Sequence, residues 1–310
     1  MESNVPRIVV VGSSNTDMVA KSERIPCAGE TVLGGEFVMA PGGKGANQAV
    51  CAAKLGAQVT LVARVGDDVF GETSLANFRS AGIDTTFVKK DPSAPSGVAL
   101  IVVDARGENA IVVAPGANLC LTPDDVDCAR GAIADADAVV VQLEIPAETV
   151  VHTIELASRL GVRLVLNPAP IRPMSKEILR KVDVLVPNQH EAAELIGRAG
   201  EGGTIDAQTA ADQLLGLGCG SVVITLGGDG AYVRGGAISE FVAPIKVFPV
   251  DTTAAGDAFT ASLACALAEG NDLASAARFA ARVAAISVTR MGAQPSMPTR
   301  DEVDSYIFGN

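Results

Sequence analysis

Residues Ala138 to Leu166 read AVVVQLEIPAETVVHTIELASRLGVRLVL, which is a strand, a helix and a second strand in succession. The β-branched run Ala138–Leu143 and the shorter Arg163–Leu166 have the length and composition of buried strands. Between them, Ala147–Leu160 repeats its apolar residues at helical spacing. Strand, helix and strand in this order make parallel neighbours joined by a right-handed crossover. The alternation continues in both directions. Further strands are predicted at Ile8–Val11, Val59–Val65, Val184–Val186 and Val222–Thr225, with helices at Gly45–Leu55, Gly71–Ala81, Glu191–Ile196 and Ala207–Leu217. Two Ala-rich helices follow, at Gly256–Glu269 and Leu273–Arg290. The expected class is α/β, a mostly parallel central sheet flanked by helices.

Two stretches break this rhythm. Asn15–Met39 and Gly97–Val113 read as β-structure with turns and no helix, the second as a hairpin around Gly107. Together they predict a small β-sheet standing off the main one as a lid. Segments 1–14, 40–96 and 114–310 are then the core, and 15–39 and 97–113 the lid. A detached sheet exposes an apolar face that must cover a ligand or meet another chain, so a lid and a dimer contact are both expected.

Composition narrows the function. Apolar residues make up 48% of the 310, yet aromatics only 4%, so the core is built from Val, Leu, Ile and Ala. A formal charge of −12 argues against nucleic acid, whose phosphates are bound by clustered Lys and Arg. The six cysteines (27, 51, 120, 128, 219 and 265) form no C-x-x-C and no zinc spacing, and read as reduced thiols. His152 and His190 are too few for a His-based metal site. The polar start Met1–Arg7 and the absence of apolar runs of membrane-spanning length predict a soluble cytoplasmic protein.

In open α/β sheets, ligands gather where the parallel strands end. Here those ends run into Glu144, Asn167-Pro168-Ala169-Pro170, Pro187-Asn188-Gln189-His190-Glu191 and Leu226-Gly227-Gly228-Asp229-Gly230. The segment Val250-Asp251-Thr252-Thr253-Ala254-Ala255-Gly256-Asp257 opens an Ala-rich helix. Small residues at 254–256 present N–H groups at a helix N-terminus, where an anion is favoured. Asp257 beside them is either a base for a hydroxyl proton or a favourable first-turn acid. Pro41-Gly42-Gly43-Lys44-Gly45-Ala46-Asn47 also precedes a helix but lacks the Walker A frame. It reads as a ligand loop or a helix-start loop. Asn15 and Asp17 share one side of an extended chain and suit a vicinal diol, or else form a turn pair. Gly216-Leu217-Gly218-Cys219-Gly220 precedes a strand and reads as a turn. His190 reads as a loop residue.

The pairing of Gly-Gly-Lys-Gly-Ala-Asn (42–47) with Asp-Thr-Thr-Ala-Ala-Gly-Asp (251–257) resembles the ribokinase-like carbohydrate kinases. Asn188-x-x-Glu191 and Thr-Leu-Gly-x-x-Gly (225–230) match the same family, over about Ile8 to Pro298. The resemblance implies transfer of the ATP γ-phosphoryl group to a primary sugar hydroxyl, with O5 of D-ribose as the expected acceptor. Fructose, deoxyribose or a nucleoside is the alternative acceptor, and a non-catalytic sugar sensor is a third reading. It implies Asn15, Asp17, Gly43, Lys44, Gly45, Asn47 and Glu144 as the sugar set, and Asp257 as base with Ala254, Ala255 and Gly256 as anion hole. It also implies that Asn188 and Glu191 organise phosphate and Mg²⁺, and that Thr225, Gly227 and Gly230 contact nucleotide. A K⁺ site is implied at Asp251, Thr253, Ser287, Arg290, Gly292 and Ser296, as is a homodimer through the lid. Relatives often have Gly where this chain has Ala254, and some carry a polar residue near Ala281, which leaves nucleotide preference open.

Overall fold

Short Val-rich runs without charges are stable as strands only when both faces are covered, and that is where this chain puts them. The computed structural model describes residues 5–198 and 206–307. Thirteen strands are found among them: β1 (Arg7–Val11), β2 (Asn15–Lys21), β3 (Phe37–Gly42), β4 (Gln58–Gly66), β5 (Val88–Asp91), β6 (Gly97–Val103), β7 (Asn109–Ala114), β8 (Ala138–Val141), β9 (Arg163–Leu166), β10 (Val184–Leu185), β11 (Ser221–Thr225), β12 (Ala231–Gly235) and β13 (Ile238–Val242). Nine form one sheet in the order β13-β12-β11-β10-β9-β8-β1-β4-β5. From β5 to β11 every pairing is parallel, with Val10 of β1 opposite both Leu61 and Val140. The α/β expectation holds.

Alternation along the strands builds two cores. Ile8 and Val10 face the Ala-rich helices Lys44–Lys54, Ala255–Ala268 and Leu273–Ser287. Val9 and Val11 face the opposite layer, which holds Val150, Ile154 and Leu214 of the helices Ala147–Leu160 and Ala207–Leu217. Alanines such as Ala258, Ala261, Ala277 and Ala280 are almost fully buried between the last two Ala-rich helices, whose backbones can therefore approach closely. All six cysteines are unpaired. Among the described residues, no helix is long and apolar enough to cross a membrane.

Three readings needed adjustment. The hairpin β12–β13 continues the sheet in antiparallel fashion, and neither it nor β5 was predicted. The last long helix stops at Ser287, short of the predicted Arg290. There Thr289 Oγ1 bonds back to the Ile286 carbonyl, and the Val288 carbonyl is taken by the N–H of Val250 and of Asp251. Strand β8 ends at Val141, short of the predicted Leu143, and the Gln142 side chain that follows donates to Gln48 on a neighbouring helix.

A second sheet, β3-β2-β6-β7, is built from the two stretches that lacked helical rhythm. Its strands reach Gly42 and Ala114, beyond the expected lid ends at 39 and 113. Register puts Asp17, Val38, Ala99 and Val113 on one face and Met18, Met39, Leu100 and Val112 on the other.

Candidate active site

The carboxyl ends of the parallel strands meet the start of the helix Ala255–Ala268 around a cavity of about 220 Å³. Lys44, Asn167, Asn188, Glu191, Thr225 and Asp257 are in its wall. That volume is below the few hundred Å³ usual for a whole ligand, so it suits the phosphate end of a nucleotide and the atom that receives a phosphoryl group. The helix begins abruptly. Ala254 is its N-cap and the sole non-glycine residue with positive φ among those described, at 59°. This left-handed step turns the Ala255 and Gly256 backbone towards the cavity they line. The Ala255 N–H makes a long 3.3 Å bond to the Thr252 carbonyl, so it is only loosely held.

Asp257 follows in the first helical turn and is 4% exposed. Its Oδ2 accepts from Asn47 Nδ2 at 2.9 Å and its Oδ1 from Gln48 Nε2 at 3.0 Å. Burial pushes its pKa above the ordinary carboxylate value, against the pull of Lys44 and these two amides, while Glu144 adds to the rise. Lys44 is the first residue of its helix, and Asp257 above all holds its ammonium charged against burial. A raised carboxylate next to a fixed cation is the arrangement expected of a base that works near neutrality.

Glycines in the 42–45 loop serve the protein's own packing. Gly43 has φ 88°, and a Cβ on Gly45 would sit 2.5 Å from the Ser13 nitrogen. A side chain on Gly42 would strike the Asp17 carboxylate. The loop is thereby pressed onto residues 12–17, with Ala46 N–H donating to the Ser13 carbonyl at 2.8 Å. This close approach, made to residues 12–17 of the same chain, gathers the polar groups. Glu144 Oε2 accepts from Ser13 Oγ and from Lys44 N–H at 3.1 Å. Asn15 Oδ1 accepts from Asn118 Nδ2 at 2.8 Å, which leaves the Asn15 amide nitrogen as the outward donor. Burial first, then Glu144 and Asp257, raise Asp17 to about 6.

At the other end, Asn188 and Glu191 form a capping box on the helix Gln189–Leu195. Asn188 Oδ1 accepts from Glu191 N–H at 2.9 Å, while the Glu191 carboxylate accepts from the Asn188 N–H and side-chain amide. Burial raises the Glu191 pKa, partly offset by the Asn188 N–H. Thr225 bridges to Asn188 and lines the cavity. Gly227 and Gly230 form the turn just beyond it, outside the cavity wall. Asp251 ties two loops together: Oδ1 accepts from Thr253 N–H and Oγ1, and Oδ2 from Gly292 N–H at 2.8 Å. Burial would raise its pKa, but these bonds prevail and hold it low. Ser287 and Ser296 are buried in the same region, and the Arg290 guanidinium points away to Glu302.

The model for the "pfkB family carbohydrate kinase" matches residues 5–300. The chain belongs to this carbohydrate kinase family. It is 42% identical to the ribokinase of Bacillus subtilis (strain 168), over 97% of this chain and 99% of that one. It is 38% identical to the deoxyribokinase of Salmonella typhi, over 98% and 99%. The solved structure of Arabidopsis thaliana ribokinase complexed with ribose and ATP superposes with a TM-score of 0.85 at 32% identity, covering 97% of this chain and 98% of that one. As a carbohydrate kinase the chain is a phosphotransferase.

The region of the candidate site holds polar residues that the motifs do not include. Gln48 interrupts an Ala-rich helix and Gln142 ends a run of valines, so a signal was present in each case. Thr260 lies one turn beyond Asp257, lines the cavity, and its buried hydroxyl has no hydrogen-bond partner among the described residues. Ser13 and Asn118 carried no signal, because each is an ordinary loop residue until the fold sets it beside Glu144 or Asn15.

Proposed function

We propose that this protein is a ribokinase, transferring the γ-phosphoryl group of ATP to O5 of D-ribose. The observation that carries this reading is Asp257, a buried carboxylate set between an N–H-lined helix start and the polar cluster of Asn15, Asp17, Asn47 and Glu144. In this reading the cluster holds the ribose hydroxyls, with Lys44, Gly43 and Gly45 shaping the loop around them. Asp257 takes the O5 proton as O5 attacks phosphorus. The N–H groups of Ala254, Ala255 and Gly256, with Lys44, face the charge that develops on the phosphoryl oxygens. Thr225, Gly227 and Gly230 lie where the rest of the nucleotide would leave the cavity.

Asn188 and Glu191 would hold Mg²⁺ mainly through water. Among the described residues no group of three or more His, Cys, Asp or Glu could ligate a metal, and Mg²⁺ keeps much of its hydration in such sites. Bound there, Mg²⁺ would supply positive charge against the negative charge of the phosphates. The oxygen-only set of Asp251 and the carbonyls of Thr253, Ser287, Arg290, Gly292 and Ser296 suits K⁺, which would order the loop bearing the anion hole.

The second sheet, within residues 15–42 and 97–114, would act as a lid over the sugar. Its far face exposes Met39, Leu100 and Val112 at 57, 52 and 67%, and we take it as the contact of a homodimer. Six unpaired thiols, with Cys27 and Cys128 exposed, fit a reducing cytoplasm. ADP release with Mg-ATP and K⁺, compared across D-ribose, 2-deoxyribose, fructose and adenosine, tests the substrate. Ribose should be preferred. The deoxyribokinase relative makes 2-deoxyribose the second reading, and turnover confined to fructose or adenosine would overturn the sugar-pocket assignment.

A further inference from the structure

The Asp257 carboxylate is held by two carboxamides with different surroundings. Asn47, on Oδ2, belongs to the proposed sugar set. Gln48, on Oδ1, has no exposed surface, and neither amide is in the cavity wall. Its amide is used completely. Nε2 donates to Asp257 Oδ1 and, at 3.2 Å, to Asn167 Oδ1, while Oε1 accepts from Gln142 Nε2 at 2.6 Å. Turned over, Gln48 would point an oxygen at a carboxylate and a second N–H at a donor. Its orientation is therefore single.

Gln142 bears the consequence. With an N–H committed to Gln48, its Oε1 is buried without a hydrogen-bond partner among the described residues, pressed against Gly12 so closely that a Cβ there would collide with it. A buried acceptor left unpaired is costly, and an apolar side chain of the same shape would avoid that cost. A tie between the helix Lys44–Lys54 and the end of β8 could be made by apolar packing. Presenting an N–H of fixed direction to a buried carboxylate could not.

We infer that Gln48, backed by Gln142, is a positioning residue that fixes the plane of the Asp257 carboxylate by holding Oδ1, so that Oδ2, beside Asn47 of the proposed sugar set, meets the acceptor hydroxyl. The inference rests on Asp257 being the base, and it adds which oxygen acts and what aims it. The charged and titratable groups facing Asp257 are Lys44 and Cys51 on the helix before it, Glu144 after β8, Asp17 on β2 and Glu191 on the capping box. None of them is removed by changing Gln48.

The test uses Gln48→Met and Gln142→Met in the full chain, read by pH–rate profiles and by calorimetric ribose binding. A donor to the ionised carboxylate favours its charged form, so losing it should move the acid limb of kcat/KM to higher pH. Gln48→Met should also lower kcat about tenfold or more, within the range general-base catalysis supplies, with the ribose dissociation constant held within about threefold. Gln142→Met should shift the limb in the same direction by less, and the double variant should be little worse than Gln48→Met alone, as expected for one connected unit. A structural tie would move the melting temperature and leave the limb in place. Wild-type kcat and acid limb in folded Gln48→Met would overturn the inference. Should that variant not fold, an unmoved limb in Gln142→Met would overturn it instead. Asp257→Asn separates the two ideas: near-normal turnover there removes the base itself, whereas a dead Asp257→Asn beside a wild-type-like Gln48→Met removes only the relay.

Discussion

Asp17 shows how this site opposes stability to binding. The pKa is raised from 3.8 to about 6 by burial and by two nearby carboxylates, so the folded protein holds a proton there that the unfolded chain would release. For a carboxyl raised in this direction, ionisation opposes folding. The penalty is complete above about pH 6 and is relieved as the pH falls from there towards 3.8. Asp17→Asn should therefore raise stability at pH 7 by about 1–2 kcal/mol and flatten its pH dependence across that window, as followed by urea denaturation. The same variant should weaken ribose binding by tenfold or more in calorimetry, because an amide accepts less well from a diol. A variant that is neither more stable nor weaker in binding would remove Asp17 from the sugar cluster. At this scale the acids and amides of the cluster could be picked out by type and spacing. Their mutual proximity could not, since Asp17, Glu144 and Asp257 come from three distant parts of the chain.

Among the elements, the loop before the helix Ala255–Ala268 depends on a neighbour far along the sequence. Asp251 clamps Thr253 on its own loop and Gly292 on the next, and Val250 and Asp251 both donate to the Val288 carbonyl. A cation bound by this pair of loops would tighten the backbone that carries the anion hole without touching sugar. Replacing K⁺ with Na⁺ or choline should lower kcat severalfold while the melting temperature stays the same. Equal rates in the three salts would dismiss the site. The early end of the last long helix belongs here too. Its helical pattern runs on to Arg290, but the Val288 carbonyl is taken by the loop at 250–251, a partner that no local rule foresees. Glycines at 42, 43 and 45 are a similar case. Side chains there would collide with residues 12–17, which only the fold brings against them.

Considered whole, the molecule has one sheet with both faces covered and one with apolar residues on both faces, many of them exposed. Val38 and Val113 share the face of Asp17, while Met39, Leu100 and Val112 lie opposite. If the first face closes over a sugar, the second still lacks cover, and a second copy of the chain would supply it. Leu100→Glu should convert a dimer to a monomer in sedimentation equilibrium and leave the main sheet intact by circular dichroism. A wild-type chain that sediments as a monomer at micromolar concentration would end that proposal.

Periodicity and composition alone determined the α/β class, most of the parallel strands, the helices between them and the existence of a second sheet. These features follow from short-range rules: which runs bury both faces, and which residues start and stop a helix. The motifs at 42–47 and 251–257 likewise pointed to the carbohydrate kinase family to which the chain belongs. Only the tertiary structure decided that Gln48 donates to Asp257 with Gln142 behind it, that Asn118 occupies one side of Asn15, and that the Asn188–Glu191 pair lines the cavity. Each of these depends on contacts between residues far apart in sequence, whose hydrogen bonds become unavoidable only once burial has removed water as the alternative partner.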